Sequence, residues 1–179
     1  METQSTQPTW RIDPEHSVIE FRIKHLAIST ISGTFRSFKG EVYCTTEDMD
    51  NSEVYFEIDA SSIDTNHQIR DGHLKGEDFL EIERYPKIIF KGQLKKTLTR
   101  YSLIGELMLH GTAKQFEFQT EATGSGKGRN GDIRRGFEIE GKINRKDFGL
   151  SFNMLTETGG LIVGEEIKLK LDIQIIKQQ

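Results

Sequence analysis

Apolar residues take every second position through most of this chain. Ile19, Phe21 and Ile23 alternate with Glu20, Arg22 and Lys24, and Val54, Phe56 and Ile58 alternate with Glu53, Tyr55 and Glu57. Phe116 and Phe118 are separated by Glu117, and Phe137 and Ile139 by Glu138. The longest run has Ile or Leu at 167, 169, 171, 173 and 175, with Lys, Asp or Gln between them. Successive side chains of a strand point to opposite faces, so each run predicts a strand with one face in a core and one in water. Parallel sheets covered by helices would give continuous apolar runs instead. Further runs at Phe35–Val42, Ile88–Leu94 and Tyr101–Leu109 bring the total to about eight antiparallel strands, an all-β barrel or sandwich.

One stretch breaks the period, SSIDTNHQIRDGHLKGEDF at 61–79. Thr65 with Gln68 three residues later reads as a capping box, in which each side chain satisfies an amide of a helix's first turn. Lys75 and Gly76 supply a basic last turn and a stop. A second short turn is expected over Glu77–Ile82, before Tyr85–Pro86 returns the chain to extended form. TGSGKGRNGD, 123–132, reads as a flexible hairpin loop; it lacks the GK[ST] ending of a phosphate loop and joins two strands. From Asn144 to Gly164 the alternation dissolves into a long connection carrying Phe148, Leu150, Phe152, Leu155, Leu161 and Val163. Apolar residues in so long a loop suggest a cover over a cavity. No internal repeat or linker divides the chain.

The net charge is −4, with acids and bases interspersed, which argues against nucleic acid as a partner. The single cysteine, Cys44, excludes an internal disulfide framework and fits a reducing compartment. METQSTQPTW at the start has neither a basic head nor an apolar run, and no stretch approaches the ~18 apolar residues of a spanning helix. A cytoplasmic location is expected, or a periplasmic one if a signal has been removed. Eleven Phe stand against four Tyr and one Trp. Phe supplies apolar area without a polar tip, which suits a deep apolar interior.

Glycine repeatedly takes the apolar phase of a strand: Gly92, Gly105 and Gly141, each between two large apolar residues two positions away. Such glycines either let a barrel coil or leave room inside it for a ligand.

The 61–79 stretch also holds the densest chemistry. His67 and Asp71 would share a helix face and could ligate zinc, but a third ligand would have to come from His16, His25 or Asp78, and no HExxH or paired CxxC is present. Cys44 has no nearby base, and GxSxG is absent. His25, in phase with Ile19, Phe21 and Ile23, reads as a core or cavity-rim histidine. Arg70 and Asp71 are expected to pin the helix to the barrel through partners such as Asp13, Arg145 and Asp147, since buried charges need partners.

Several stretches together carry a family resemblance: WRIDPEHSVIEF at 10–21, GTFRSFKG at 33–40, SSIDTNHQIRDGHLKGEDF, YPKIIFKG at 85–92, GELMLHG at 105–111 and RKDFGL at 145–150. In this order they resemble the YceI-like family, the polyisoprenoid-binding, lipocalin-like proteins. The resemblance implies an extended eight-stranded antiparallel barrel with one short helix beside it or across an end. It also implies a long hydrophobic pocket for an isoprenoid or other long-chain amphiphile, and a homodimer. Residues 1–9 are then a flexible tail and 10–177 one domain.

The expectation is a non-enzymatic protein that stores or carries a polyisoprenoid, quinone or fatty amide or acid, with no other cofactor and no metal. Its tail would lie among Phe21, Ile23, Phe35, Phe56, Phe90 and Leu107, continuing along Phe118, Phe137 and Ile139. Gly105 would open space beside it, and Arg70 and Phe148 would meet the head. Whether Arg70, Asp71 and His73 touch ligand or only hold the helix stays open. The rival readings are an enzyme using His67, Asp71 or His73 as acid or base, and an interaction module whose barrel is filled by its own side chains.

Overall fold

The computed structural model describes residues 9–154, 157, 160 and 162–179. In chain order the strands are β1 (Trp10–Ile12), β2 (Val18–His25), β3 (Ser29–Phe35), β4 (Phe38–Tyr43), β5 (Ser52–Asp59) and β6 (Ile63–Asp64). After the helix α1 (Gln68–Lys75) come β7 (Lys87–Lys96), β8 (Tyr101–Leu109), β9 (Thr112–Lys127), β10 (Ile133–Asn144) and β11 (Val163–Lys177). All pairings among them are antiparallel.

The expected eight-stranded barrel is present, but three of its strands are split. β1 with β2, β3 with β4, and β5 with β6 each form one strand interrupted by a kink, and β7 to β11 complete the circuit. The long β11 closes the barrel by pairing with β10 on one side and with both β2 and β1 on the other. Each kink slips the apolar phase by one residue. Trp10 and Ile12 face inward at even numbers, then Ile19, Phe21 and Ile23 at odd ones. Phe35 gives way to Phe38 and Val42, and Ile58 to Ile63. Because strand side chains have a period of two, an uncompensated slip would turn the rest of the strand inside out.

The kinks lie side by side. Between β1 and β2, Asp13 caps a 3₁₀ turn at Pro14–His16 by accepting from the Glu15 amide; Pro14 has no N–H to give a ladder. Between β5 and β6, Asp59 caps Ala60–Ser62 in the same way. The middle kink at Arg36–Ser37 bonds to that neighbour, with Asp59 N–H donating to Ser37 O at 2.9 Å and Arg36 N–H to Ser62 O at 3.1 Å.

One end of the barrel carries the β2–β3 turn, α1 with the segment to Pro86, the β8–β9 turn and the β10–β11 connection. The other end carries the β4–β5, β7–β8 and β9–β10 turns. Met49, in the β4–β5 turn, is buried among the core residues. Of the expected tail, residues 1–8 lie outside the described residues, and Thr9 is already bonded to Val42 and to the Gln178 amide. The expected loop at 123–132 is shorter than its glycines suggest: β9 runs through Gly124 and Gly126, and only 128–132 turn. Leu155 and Leu161 lie outside the described residues. Over 77–82 the chain makes turns and no helix.

Candidate functional site

A cavity of about 660 Å³ runs through the barrel. Its wall extends from Met49, Val42 and Leu94 at one end to His25, Met154 and Ile162 at the other. Because the inward strand faces are mostly aliphatic or aromatic, the tube is almost wholly apolar; most of its few polar groups, His25, Ser29, Thr65, Arg70, His73 and Arg145, lie toward the end that carries α1, with Thr120 the exception on β9. Small-molecule sites have this composition, an apolar body with a few convergent polar groups.

Most of the expected wall is there. Phe21, Ile23, Phe35, Phe56, Phe90, Leu107, Phe118, Phe137 and Ile139 all line the cavity, as does Arg70. Phe21 and Phe35 pack with ring centroids 5.6 Å apart, and Phe90 and Phe118 at 5.9 Å. Two expected residues sit elsewhere. Gly105 pairs directly with Gly92 across β7–β8, and a Cβ on it would fall 2.2 Å from the Lys91 carbonyl oxygen and 2.4 Å from the Gly92 Cα. It permits two backbones to approach and opens no space. Of the three glycines, Gly141 is the one that lines the cavity, and it does so beneath the Phe118 ring. Phe148, fully buried, stacks on Phe116 with centroids 5.9 Å apart and belongs to the core behind the wall.

The helix is held differently from the expected capping box. His67 is the N-cap, its Nδ1 accepting from the Arg70 amide at 3.2 Å. Thr65 serves as the anchor. Its amide donates to Asp71 Oδ1 at 2.9 Å and its hydroxyl bonds to the same carboxylate. Arg70 Nε and Nη2 donate to the Thr65 hydroxyl and carbonyl oxygens at 2.7 and 2.8 Å. The expected partners Asp13, Arg145 and Asp147 are not used; among the described residues Arg70 has no carboxylate partner. His73 bonds through Nε2 to Asp78 at 2.9 Å, while its ring meets the edges of Phe79 and Phe152 at 5.0 and 5.3 Å. Phe152 comes from the β10–β11 connection, so this aromatic trio joins α1 to that connection over the cavity. Gly76 ends the helix with φ −78°, without the left-handed conformation.

RKDFGL builds the opposite side of the mouth. Arg145 is 2% exposed. Its guanidinium donates to the carbonyls of Leu150, of Phe152 at 2.9 Å and of Gly164 at 2.8 Å, with a longer contact to Val163 at 3.4 Å. Burial pushes its pKa down, partly offset by the charge of Glu165. Gly149 supplies a left-handed residue, φ 72°, that closes the turn after Phe148. One buried cation thereby gathers both legs of the β10–β11 connection, whose Leu150, Phe152, Met154, Ile162 and Val163 line the cavity.

The remaining polar candidates are occupied elsewhere. Asp13 lies at the β1–β2 kink, where Arg134 Nη1 reaches it at 2.7 Å and His16 Nδ1 at 2.8 Å. Burial would raise its pKa, but the hydrogen bonds from His16, the Glu15 amide and Arg134 together hold it below the usual carboxylate value. Among the described residues Asp13, Glu15 and His16 bring metal-ligand atoms within 4.8 Å of one another; the Arg134 guanidinium already occupies that carboxylate. His67, Asp71 and His73 do not converge: one caps the helix, one holds Thr65 and one pairs with Asp78. Sequence reasoning missed Met49 at the far end of the cavity and the Phe79–Phe152–His73 trio. Their apolar character was visible, but a β-turn and a loop carry no period that would aim them.

A YceI-like domain model matches residues 10–175. A UPF0312 protein of Yersinia pestis (strain Pestoides F) is 37% identical over 168 residues, covering 92% of this chain and 84% of that protein. The crystal structure of Burkholderia cenocepacia BcnA superposes with a TM-score of 0.78 at 19% identity, covering 91% of this chain and 98% of that one. A polyisoprenoid binding domain from Saccharophagus degradans superposes with a TM-score of 0.68 at 13% identity, covering 96% and 100%. No helix among the described residues is long and apolar enough to cross a membrane.

Proposed function

The chain belongs to the YceI-like family, and on that premise we propose that it binds a long-chain amphiphilic lipid inside its barrel and stores or carries it. The observation that carries this reading is the continuous apolar cavity of about 660 Å³, with most of its few polar groups toward one end. A core filled by its own side chains would be packed to crystal density and leave few voids larger than a water molecule. The name of the Saccharophagus degradans domain supports an isoprenoid-type chain; a quinone or fatty amide fits the same tube, since an apolar wall selects length and thickness. The tail lies along Phe90, Phe118 and Phe137, and the head between α1 and the β10–β11 connection, near Arg70 and His73. Since His67, Asp71 and His73 each serve the fold at a different place, they support binding over acid–base catalysis.

Native mass spectrometry of freshly purified protein tests this. The expected result is an excess mass of lipid size that organic extraction removes. A protein of bare sequence mass, with no uptake of an added isoprenoid alcohol, would refute the carrier reading in favour of an empty or filled barrel.

A further inference from the structure

The large apolar side chains left in water are not scattered evenly over this molecule. Ile28 is 84% exposed and Ile69 82%, with Leu26 and Met154 also exposed. All four belong to the elements around the mouth: the β2–β3 turn, the first turn of α1 and the β10–β11 connection. Elsewhere, Leu98 and Ile133 are exposed on two separate hairpins at the far end, and Val18, Ile104 and Met108 on the strands β2 and β8. Single exposed apolar residues need no explanation, but a group on neighbouring elements does.

The β2–β3 turn adds a second observation. Leu26 and Ala27 both have positive φ, 54° and 55°. A two-residue turn with both φ values positive favours Asn–Gly or Asp–Gly, and leucine gains nothing there from a local hydrogen bond. The turn nevertheless presents Leu26, Ala27 and Ile28 in succession at the tip. Local backbone preference does not account for that sequence.

Third, these residues continue the cavity wall outward. Ile28 lies between His25 and Ser29, both of which line the cavity. The Leu26 amide donates to the Ile162 carbonyl at 2.7 Å, and Ile162 and Met154, themselves joined by a backbone hydrogen bond, line it too. Ile69 is one helical turn before His73 on α1, at the spacing that shares a face. The exposed apolar residues thus adjoin the cavity wall, along the chain or through a backbone hydrogen bond.

We infer that the mouth of the barrel docks on a lipid bilayer, inserting Ile28 and Ile69 at its surface so that the chain exchanges between membrane and cavity. This rests on the carrier reading above for its purpose but on the mouth alone for its chemistry. A second copy of the chain could cover the same side chains, but it would offer the emerging chain no destination.

The test is flotation with vesicles of equimolar phosphatidylcholine and phosphatidylglycerol, with Ile28→Asp, Ile69→Asp and the control Leu98→Asp, whose side chain is fully exposed at the far end. The wild type should float, each mouth substitution should lower the bound fraction's partition coefficient about tenfold, and the control should match the wild type. Native mass spectrometry of the same variants should show the lipid content of the wild type. Failure of the wild type to float, or equal binding by all variants, or an equal loss with Leu98→Asp, overturns docking. So does light scattering in which Ile28→Asp converts a wild-type dimer to monomer without changing flotation. Flotation by a protein without bound lipid would sink the carrier reading and leave the docking surface standing.

Discussion

Arg145→Ala should be among the most damaging single substitutions in this protein, and its cost can be worked from contacts. The side chain gives hydrogen bonds to the carbonyls of Leu150, Phe152 and Gly164, with a long contact to Val163. Leu150 is buried, so its carbonyl would lose its partner where water cannot readily replace it, at about 1–3 kcal/mol. Phe152 and Gly164 are half-buried, and water can take over part of their bonding, so about 1 kcal/mol each is reasonable. The total is about 3–5 kcal/mol. Against this stands relief of the guanidinium's own burial, the same effect that pushes its pKa down, which places the expected loss toward the lower figure. For a chain of this length each kcal/mol shifts the melting temperature by about 2–4 °C, so a fall of roughly 10 °C is expected. Thermal unfolding followed by circular dichroism measures it. Arg145→Lys, which keeps the charge but cannot reach three separated carbonyls with one fork, should recover less than half. A melting temperature unchanged in Arg145→Ala, with bound lipid lost, would refute the argument and make Arg145 a group that meets the ligand head.

Gly105→Leu should destabilise by well over 3 kcal/mol because its Cβ would meet backbone atoms of β7, whereas Gly141→Leu meets the Phe118 ring and should fold with a shorter or absent lipid; reversed outcomes in melting and extracted mass would mean the two glycines had been misassigned. Arg70→Ala, whose half-buried side chain is bonded among the described residues only to Thr65, should cost about 1–2 kcal/mol by denaturant titration, and a loss of about 5 kcal/mol would point to a buried charge partner. Asp13 has its pKa lowered in the fold, so its contribution is present above the unfolded value near 4 and is lost as pH falls through the folded one. The melting-temperature gap between wild type and Asp13→Asn should therefore be full at pH 7 and shrink below about pH 4; a gap constant down to pH 2 would remove the ion pair with Arg134 as its cause. A homodimer, implied by the family resemblance, should bury one patch symmetrically and scatter light at twice the 20.5 kDa chain mass; a monomer across micromolar concentrations would end that expectation.

What could be read from the sequence follows what side-chain period encodes. The two-residue alternation placed β5, β7, β8, β10 and β11 and nearly all of the cavity wall, because inward-facing residues of a closed barrel are both the core and the lining. The helix was legible from its basic end and glycine, but its cap was not. Thr65 at the capping-box position is drawn instead into bonds with Arg70 and Asp71, a tertiary choice that outweighs the local motif. Arg145 was visible as a charge, and charge alone predicted a carboxylate partner. Backbone carbonyls carry no sequence label, so the four that it touches could not be named.

The kinks show where a legible signal went unused. In three successive strands the apolar phase shifts between even and odd numbers: 12 to 19, 35 to 38, 58 to 63. A strand that stayed regular through any of these points would turn charged side chains to the cavity, Glu20 and Lys24, Lys39 and Glu41, or Asp64, so each slip demands a break. Since the three strands are neighbours, the breaks fall into register, and the second and third bond to each other. The Asp13–Arg134–Gln174 contacts then tie this seam to β10 and β11, whose alternation runs on unbroken. Three of the barrel's eight strands are thus segmented and five continuous. The segmented strands carry both α1, directly after β6, and the β2–β3 turn. The side of the mouth formed by α1 and the β2–β3 turn is accordingly built on short strands with interrupted ladders, where local opening requires the fewest hydrogen bonds to break.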